Sequence, residues 1–242
     1  MIEILYEDEN IVAVNKPAGI AVHPDGRSTE ETISDMLVSR YPEMCDVGEP
    51  LRAEGREIPR PGIVHRLDKE TSGVMIAAKT PEAHARLKRA FADRLIEKEY
   101  IAIVHGRIKE ERGRIDKTIG RSASDFRRFS AQRGARGKMR EALTLYETIL
   151  RAEQFSAVKA MPKTGRTHQI RVHFKAIHHP LVCDPLYAGK LGCGLGMKRL
   201  ALHSAAIVVP LGGGKTVRIE ALLPADMKHA MNSLKKEAQL AP

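Results

Sequence analysis

One carboxylate stands out by its neighbours. In Ile63-Val64-His65-Arg66-Leu67-Asp68-Lys69-Glu70-Thr71-Ser72-Gly73, Asp68 lies near two cations, Arg66 and Lys69, in a short charged stretch. Ile63-Val64 before it and Val74 to Ala78 after it read as strands, bounded by Pro61-Gly62 and Thr80-Pro81. A loop held by buried strands keeps a reactive group in place, so Asp68 is a candidate nucleophile or base that the cations keep ionised. The alternative is a turn cap that only bonds a nearby backbone N–H, and spacing alone favours it. His168, His173, His178 and His179 invite a metal reading, but they lack His-Glu-x-x-His spacing and no cysteine pair supports them. A kinase loop is excluded by the missing Asn, Gly-rich loop and Asp-Phe-Gly. Gly214-Lys215-Thr216 has Val209 where a phosphate loop needs its first Gly.

The elements that must position these groups follow from pattern. Ile2 to Tyr6 and Ile11 to Asn15 read as strands around an acidic turn. Ser28 with Glu31 matches a capping box for a helix over 29–40, and Tyr41 to Gly62 reads as a loop. Thr80 caps a helix with Pro81 at its first position, and Leu87, Phe91 and Leu95 mark its apolar face. Tyr100 to Val104 is a strand with Tyr100, Ala102 and Val104 on one face. Arg107 to Arg140 reads as a strand pair with a long loop, followed by an antiparallel pair, Leu143–Leu150 and Phe155–Met161. A helix runs from Thr167 to Ile177, a hairpin turns at 211–215, and a helix covers Asp226 to Ala238.

The 242 residues suffice for one large or two small domains, and 43% hydrophobic with 29% charged side chains is an ordinary soluble composition. No apolar run nears the roughly 20 residues a bilayer span needs, and the acidic start predicts no signal peptide. Cys45, Cys183 and Cys193 form no Cys-x-x-Cys pair and are expected as reduced thiols in a cytosolic protein. The net charge of +10 is uneven: residues 1–60 hold 13 acidic and 6 basic side chains, residues 107–140 hold 12 basic and 4 acidic. That asymmetry suits a polyanionic partner bound with steep salt dependence, and 4% aromatics without Trp disfavours a stacking platform.

His65-Arg66-Leu67-Asp68 followed by Thr71-Ser72-Gly73 resembles the catalytic motif of the RluA-type pseudouridine synthases. The opening Ile4 to Asp8 with Val12 to Gly19, then Glu97-Lys98-Glu99-Tyr100-Ile101-Ala102, Thr164 to His173, and Arg199 to Ser204 resemble further motifs of that family, in family order. Departures are Cys183, where relatives commonly have Gly before the Asp, and the unusual Gly192-Cys193-Gly194-Leu195-Gly196.

The resemblance implies a fold and a set of roles. The fold is α+β: one pseudouridine synthase catalytic domain over 1–242, with a curved mixed, mostly antiparallel sheet, flanking helices and a central cleft, and no appended S4-like RNA-binding domain. The activity is isomerisation of uridine to pseudouridine in structured RNA (rRNA or tRNA), without cofactor or metal, by a monomer in the cytoplasm that engages neither DNA nor membrane. Asp68 is the catalytic carboxylate, Arg171 its partner, and Tyr100 stacks on the target uracil or relays the C5 proton. Arg66 fills the gap left by the flipped uridine, Arg166 binds phosphate, and Leu202 walls the uracil pocket. Rival readings are a catalytically idle RNA binder and a hydrolase, which would release free uracil.

Overall fold

The structure, a computed structural model, describes residues 2–24, 29–53, 56–125, 127–131 and 135–240. Contacts divide the chain into two compact units, Met1–Ile96 with Ser204–Leu222, and Glu97–His203 with Leu223–Pro242.

In the first unit β1 (Glu3–Glu7) and β2 (Ile11–Lys16) pair antiparallel. Asp8 closes their turn by accepting the N–H groups of Asn10 and Ile11, each at 2.7 Å. Helix α1 spans Ile33–Arg40, starting later than its expected residue 29. Its capping box is Thr32 with Asp35, so the cap sits next to Ile33 and Leu37, the side chains the core buries. Ser28, the expected cap, lies outside the described residues. The stretch read as loop holds a 3₁₀ turn, Pro42–Met44, and a hairpin of β3 (Leu51–Ala53) with β4 (Arg56–Ile58). Strands of three residues carry too little alternation to be seen in a sequence.

β5 (Ser72–Ala78) pairs antiparallel with β2 and is buried throughout, which accounts for its unbroken apolar run. Ile63 contributes only a single bridge to Ala77, so the strand expected at Ile63-Val64 does not form. Helix α2 (Pro81–Ala92) follows, with Thr80 Oγ1 accepting the Ala83 N–H at 3.2 Å. Its buried face is Ala83, Leu87 and Ala90 against Ile11, Ile76 and Ile207. Each large apolar side chain so covered contributes about 1.5–3 kcal/mol. Leu95, expected on that face, lies beyond the helix end and is 61% exposed. On the other side of β5 runs β13 (Leu202–Gly212), which belongs to this unit from Ser204 and turns through Gly213-Gly214 into β14 (Lys215–Glu220).

The second unit is built on four strands in the order β6 (Glu97–His105), β12 (Phe155–Pro162), β11 (Leu143–Arg151) and β7 (Arg112–Asp116), all antiparallel. Helix α4 (Ala225–Leu240) lays Met227 and Ala230 on Ile103 and Met197, and Leu234 on Ala152 and Ala157. Helix α3 is Gln169–Ala176, two residues short of its expected start. The basic segment supplies β7 and a second antiparallel sheet, β10 (Arg136–Arg140), β8 (Ile119–Arg121) and β9 (Phe129–Ser130), four strands in place of the expected pair. Every residue of β10 is exposed, so no apolar period announces it.

The cysteine expectation is overturned. Cys183 and Cys193 form a disulfide with Cα atoms 4.3 Å apart, leaving Cys45 as the free, exposed thiol. A tertiary loop brings together two residues whose spacing signals nothing. Cys183 also holds φ at 56°, a left-handed conformation that glycine adopts without strain. The α+β class stands. Among the described residues no helix is long and apolar enough to cross a membrane.

Gly73 has φ 110°, and a Cβ there would collide with the backbone of Ser204 on the neighbouring strand. Gly73→Ala is expected to lower unfolding free energy by about 2 kcal/mol or more; an unchanged urea midpoint would refute this close approach.

Candidate active site

The loop from Val64 to Thr71 is pinned at several points before Asp68 is considered. Leu67 is its apolar anchor, 4% exposed, while Arg66 is exposed and Asp68 half-buried. His65 Nε2 accepts the Ile76 N–H of β5 at 3.0 Å, and its ring stacks on Phe91 with centroids 4.8 Å apart. The Thr71 N–H donates to the Asp68 carbonyl at 3.0 Å, a main-chain closure of the turn.

Lys16 supplies the remaining hold. Its ammonium is fully buried and donates to the carbonyls of Pro17 (2.8 Å), Ile20 (2.7 Å) and Lys69 (2.9 Å). The Lys69 carbonyl also accepts the Gly19 N–H at 2.9 Å. The opening motif is thus stapled to the residue following Asp68, and the three donors of the amine are satisfied in a place where an unmet charge would be costly.

Two guanidinium groups flank this loop. Arg66 Nη1 lies 3.4 Å from His23 Nε2, while His23 Nδ1 donates to the Pro24 carbonyl at 2.9 Å. Burial and then the Arg66 charge lower the pKa of Arg60, whose Nε is buried without a hydrogen-bond partner. Paired guanidinium forks with donors to spare are suited to phosphate oxygens.

In the second unit Tyr100 lies on β6 opposite Ala160, 9% exposed. Lys98 shares its face of the strand, donates to the Thr164 carbonyl at 3.3 Å, and has its pKa pushed down to about 8 by burial and then by Lys163. The turn from Thr164 to His168 is wired by Gln169. Its Oε1 accepts Thr164 Oγ1 at 2.6 Å and the Arg166 N–H at 3.0 Å, and its Nε2 donates to Leu143 O and Thr144 Oγ1, each at 3.0 Å. Arg166 Nε donates to the Glu141 carbonyl at 3.0 Å, at the end of β10.

Arg171 points from α3 onto Asp184, Nε and Nη2 each 2.8 Å from one carboxylate oxygen, and its guanidinium covers the Tyr187 ring at 5.1 Å. The pair is buried, with side chains 7% and 0% exposed. Asp184 further accepts the N–H groups of Leu186 (2.9 Å) and Tyr187 (3.0 Å). Five N–H donors on Arg171 allow it to serve a further acceptor besides Asp184. Leu202 is buried at the start of β13, just past Arg199, whose fork grips Asp226 at 2.7 and 3.0 Å.

Of the histidines that invited a metal, His168 bonds Tyr187 Oη at 2.9 Å, and buried His173 bonds Thr144 Oγ1 at 2.9 Å and the Lys117 carbonyl at 3.1 Å. Asp68 with Arg66 falls in the first unit; Tyr100, Arg166, Arg171 and Leu202 fall in the second. Lys16, Lys98, Gln169 and Asp184 were not singled out by sequence. For Lys16 a signal existed, a charge closing an otherwise apolar strand. Asp184 gave none.

Comparison with known proteins identifies the family. The chain belongs to the RNA pseudouridylate synthase family, whose pattern it matches over residues 10–176. It is 42% identical over 191 residues to an Aquifex aeolicus protein described as an uncharacterized RNA pseudouridine synthase, covering 78% of this chain and 57% of that one. With the ribosomal large subunit pseudouridine synthase D of Zymomonas mobilis it shares 37% over 236 residues, 94% of this chain and 71% of the relative. Among solved structures, human RNA pseudouridylate synthase domain containing 4 superposes with a TM-score of 0.75 at 25% identity, covering 96% of this chain and 93% of the other. The chain thus spans 57% and 71% of the length of these two bacterial relatives.

Asp184→Ala removes the carboxylate that a buried guanidinium grips and is expected to cost about 3–5 kcal/mol in a denaturant titration, far above a surface ion pair. Lys98 gives a pH signature: its pKa is lower folded than unfolded, so stability rises as pH climbs from about 8 toward 10.5. Lys98→Met should remove that rise, roughly 3 kcal/mol at full extent; parallel urea midpoints against pH for both proteins would contradict it.

Proposed function

We propose that this chain converts uridine to pseudouridine in structured RNA, with Asp68 as the carboxylate that begins the reaction. The observation that carries the reading is the loop around Asp68, tied down by Lys16, His65 and Leu67, with the Asp68 side chain between them partly open to solvent. Asp68 attacks the nucleotide or assists departure of the base, the bond from ribose C1′ to N1 breaks, the uracil turns, and C1′ joins C5. The C5 proton leaves and N1 regains one, so the product is an isomer and no water is consumed. One carboxylate suffices, where a glycosidase uses two.

Tyr100 stacks on the uracil or relays the C5 proton, and Arg171 keeps the reacting carboxylate ionised, its own orientation set by Asp184. Arg66 takes the place of the flipped uridine, Arg166 holds phosphate, and Leu202 lines the uracil site. The reading carries with it a single catalytic domain working as a cytoplasmic monomer on RNA. Ribosomal RNA is the first substrate to try, because the Zymomonas relative is named for the large ribosomal subunit; tRNA is the second.

The test uses RNA tritiated at uridine C5, taken from cells lacking this protein. Label released without free uracil supports the proposal. Free uracil points to a hydrolase, and neither signal points to a binding protein. Asp68→Asn is expected to abolish label release, by about 10³-fold or more, with folding and most RNA affinity retained. Loss of cooperative unfolding in that variant would mean that Asp68 is a structural cap.

A further inference from the structure

The second unit contains a cavity that none of the proposed catalytic residues lines. It has a volume of about 310 Å³ and opens between residues 122–124 and 128–131, the later turns of α3 and the loop after Asp184. Its floor is apolar, formed by Phe129, Leu186 and Tyr187, with Tyr187 buried in the cluster that also holds Val172. Its rim is polar: the hydroxyls of Ser122, Ser124 and Ser130, and the cations Arg128 and Lys175. Small-ligand sites begin at about 300 Å³, so the space suits something of the size of one nucleotide.

The chemistry of the wall selects among small molecules. An apolar floor takes the face of a heterocycle, rim hydroxyls both give and accept hydrogen bonds at its edge, and the cations take a phosphate. Arg121 lies over the Phe129 ring at 5.3 Å and adds a third cation beside the floor. The neighbouring strand favours a polymer over a free nucleotide. β10 pairs with β8, is exposed along its whole length, and carries Arg136, Lys138 and Arg140. A chain with one base in the cavity could continue along that row, its phosphates held electrostatically.

We infer that this cavity receives one unpaired nucleotide of the substrate RNA, a holding site separate from the uridine that reacts. The inference rests on the RNA reading above, and its test is therefore run on binding, in the Asp68→Asn background where turnover plays no part. Lys175→Glu reverses the rim charge, Ser124→Tyr plugs the cavity without changing charge, and Lys236→Glu on α4 serves as a control for charge alone. Filter binding to the same RNA is expected to weaken about tenfold for the first two and less than about twofold for the third. Thermal melts accompany each variant; should Ser124→Tyr fail to fold, photocross-linking of 4-thiouridine RNA must map to residues 122–131 or 172–189 for the inference to stand.

Several outcomes overturn it. Affinity retained in both cavity variants would mean that RNA does not enter. Equal loss in Lys236→Glu would mean that only overall charge matters. Uridine or adenosine monophosphate binding to the unplugged protein, with RNA affinity indifferent to the plug, would make the cavity a site for a free nucleotide. Failure of the catalytic reading looks different: label release absent from the unsubstituted protein while these binding differences persist.

Discussion

An ammonium ion with no water around it holds the candidate loop together. Lys16 Nζ gathers the carbonyls of Pro17, Ile20 and Lys69, tying the end of β2 to the residue after Asp68. A charge in such a place costs several kcal/mol unless its donors are met, and here three carbonyl dipoles meet them. The arrangement has a direction: if the loop moved away, the amine would lose an acceptor it cannot replace from solvent. The loop is thereby denied easy alternatives, and this is what a carboxylate that must meet its target at a fixed distance needs. His65 extends the same logic, spending its ring nitrogen on a strand amide rather than on chemistry.

The second unit solves its problem with charge paired to charge. Arg171 is buried with its fork on Asp184, and Asp184 would be an uncompensated anion without two backbone N–H groups and that guanidinium. Buried pairs are poor sources of stability compared with apolar packing. What this one supplies is orientation, since a bidentate fork fixes the plane of the guanidinium. Gln169 does the equivalent for the turn that carries Arg166, with all its hydrogen-bonding atoms engaged. In both units, then, the groups expected to meet RNA are aimed by neighbours that stay behind them.

Charge is distributed on a different principle. The basic residues of the segment 107–140 are mostly solvated, several paired with nearby acids such as Asp125, whose pKa is held down to about 2 by Arg127. Surface pairs of this sort add little to stability. Their use is long-range attraction of a polyanion, which requires exposure rather than burial.

The sequence by itself determined the strands β1, β2, β6, β11 and β12, helix α2, and the family through ordered motifs, because apolar period, caps and turn residues are local properties. Asp68 was visible as a reactive candidate, yet spacing alone favoured a mere cap; the motif around it, not its own chemistry, raised it. Tertiary structure decided other features. Thr32 caps α1 beside Ile33, where core burial begins; β10 pairs although its side chains are all exposed; Cys183 finds Cys193 across a loop. Lys16 and Asp184 acquired their roles the same way, from partners 53 and 13 residues distant. A charged side chain's meaning depends on which acceptors surround it when water is gone, and only folding brings those acceptors together.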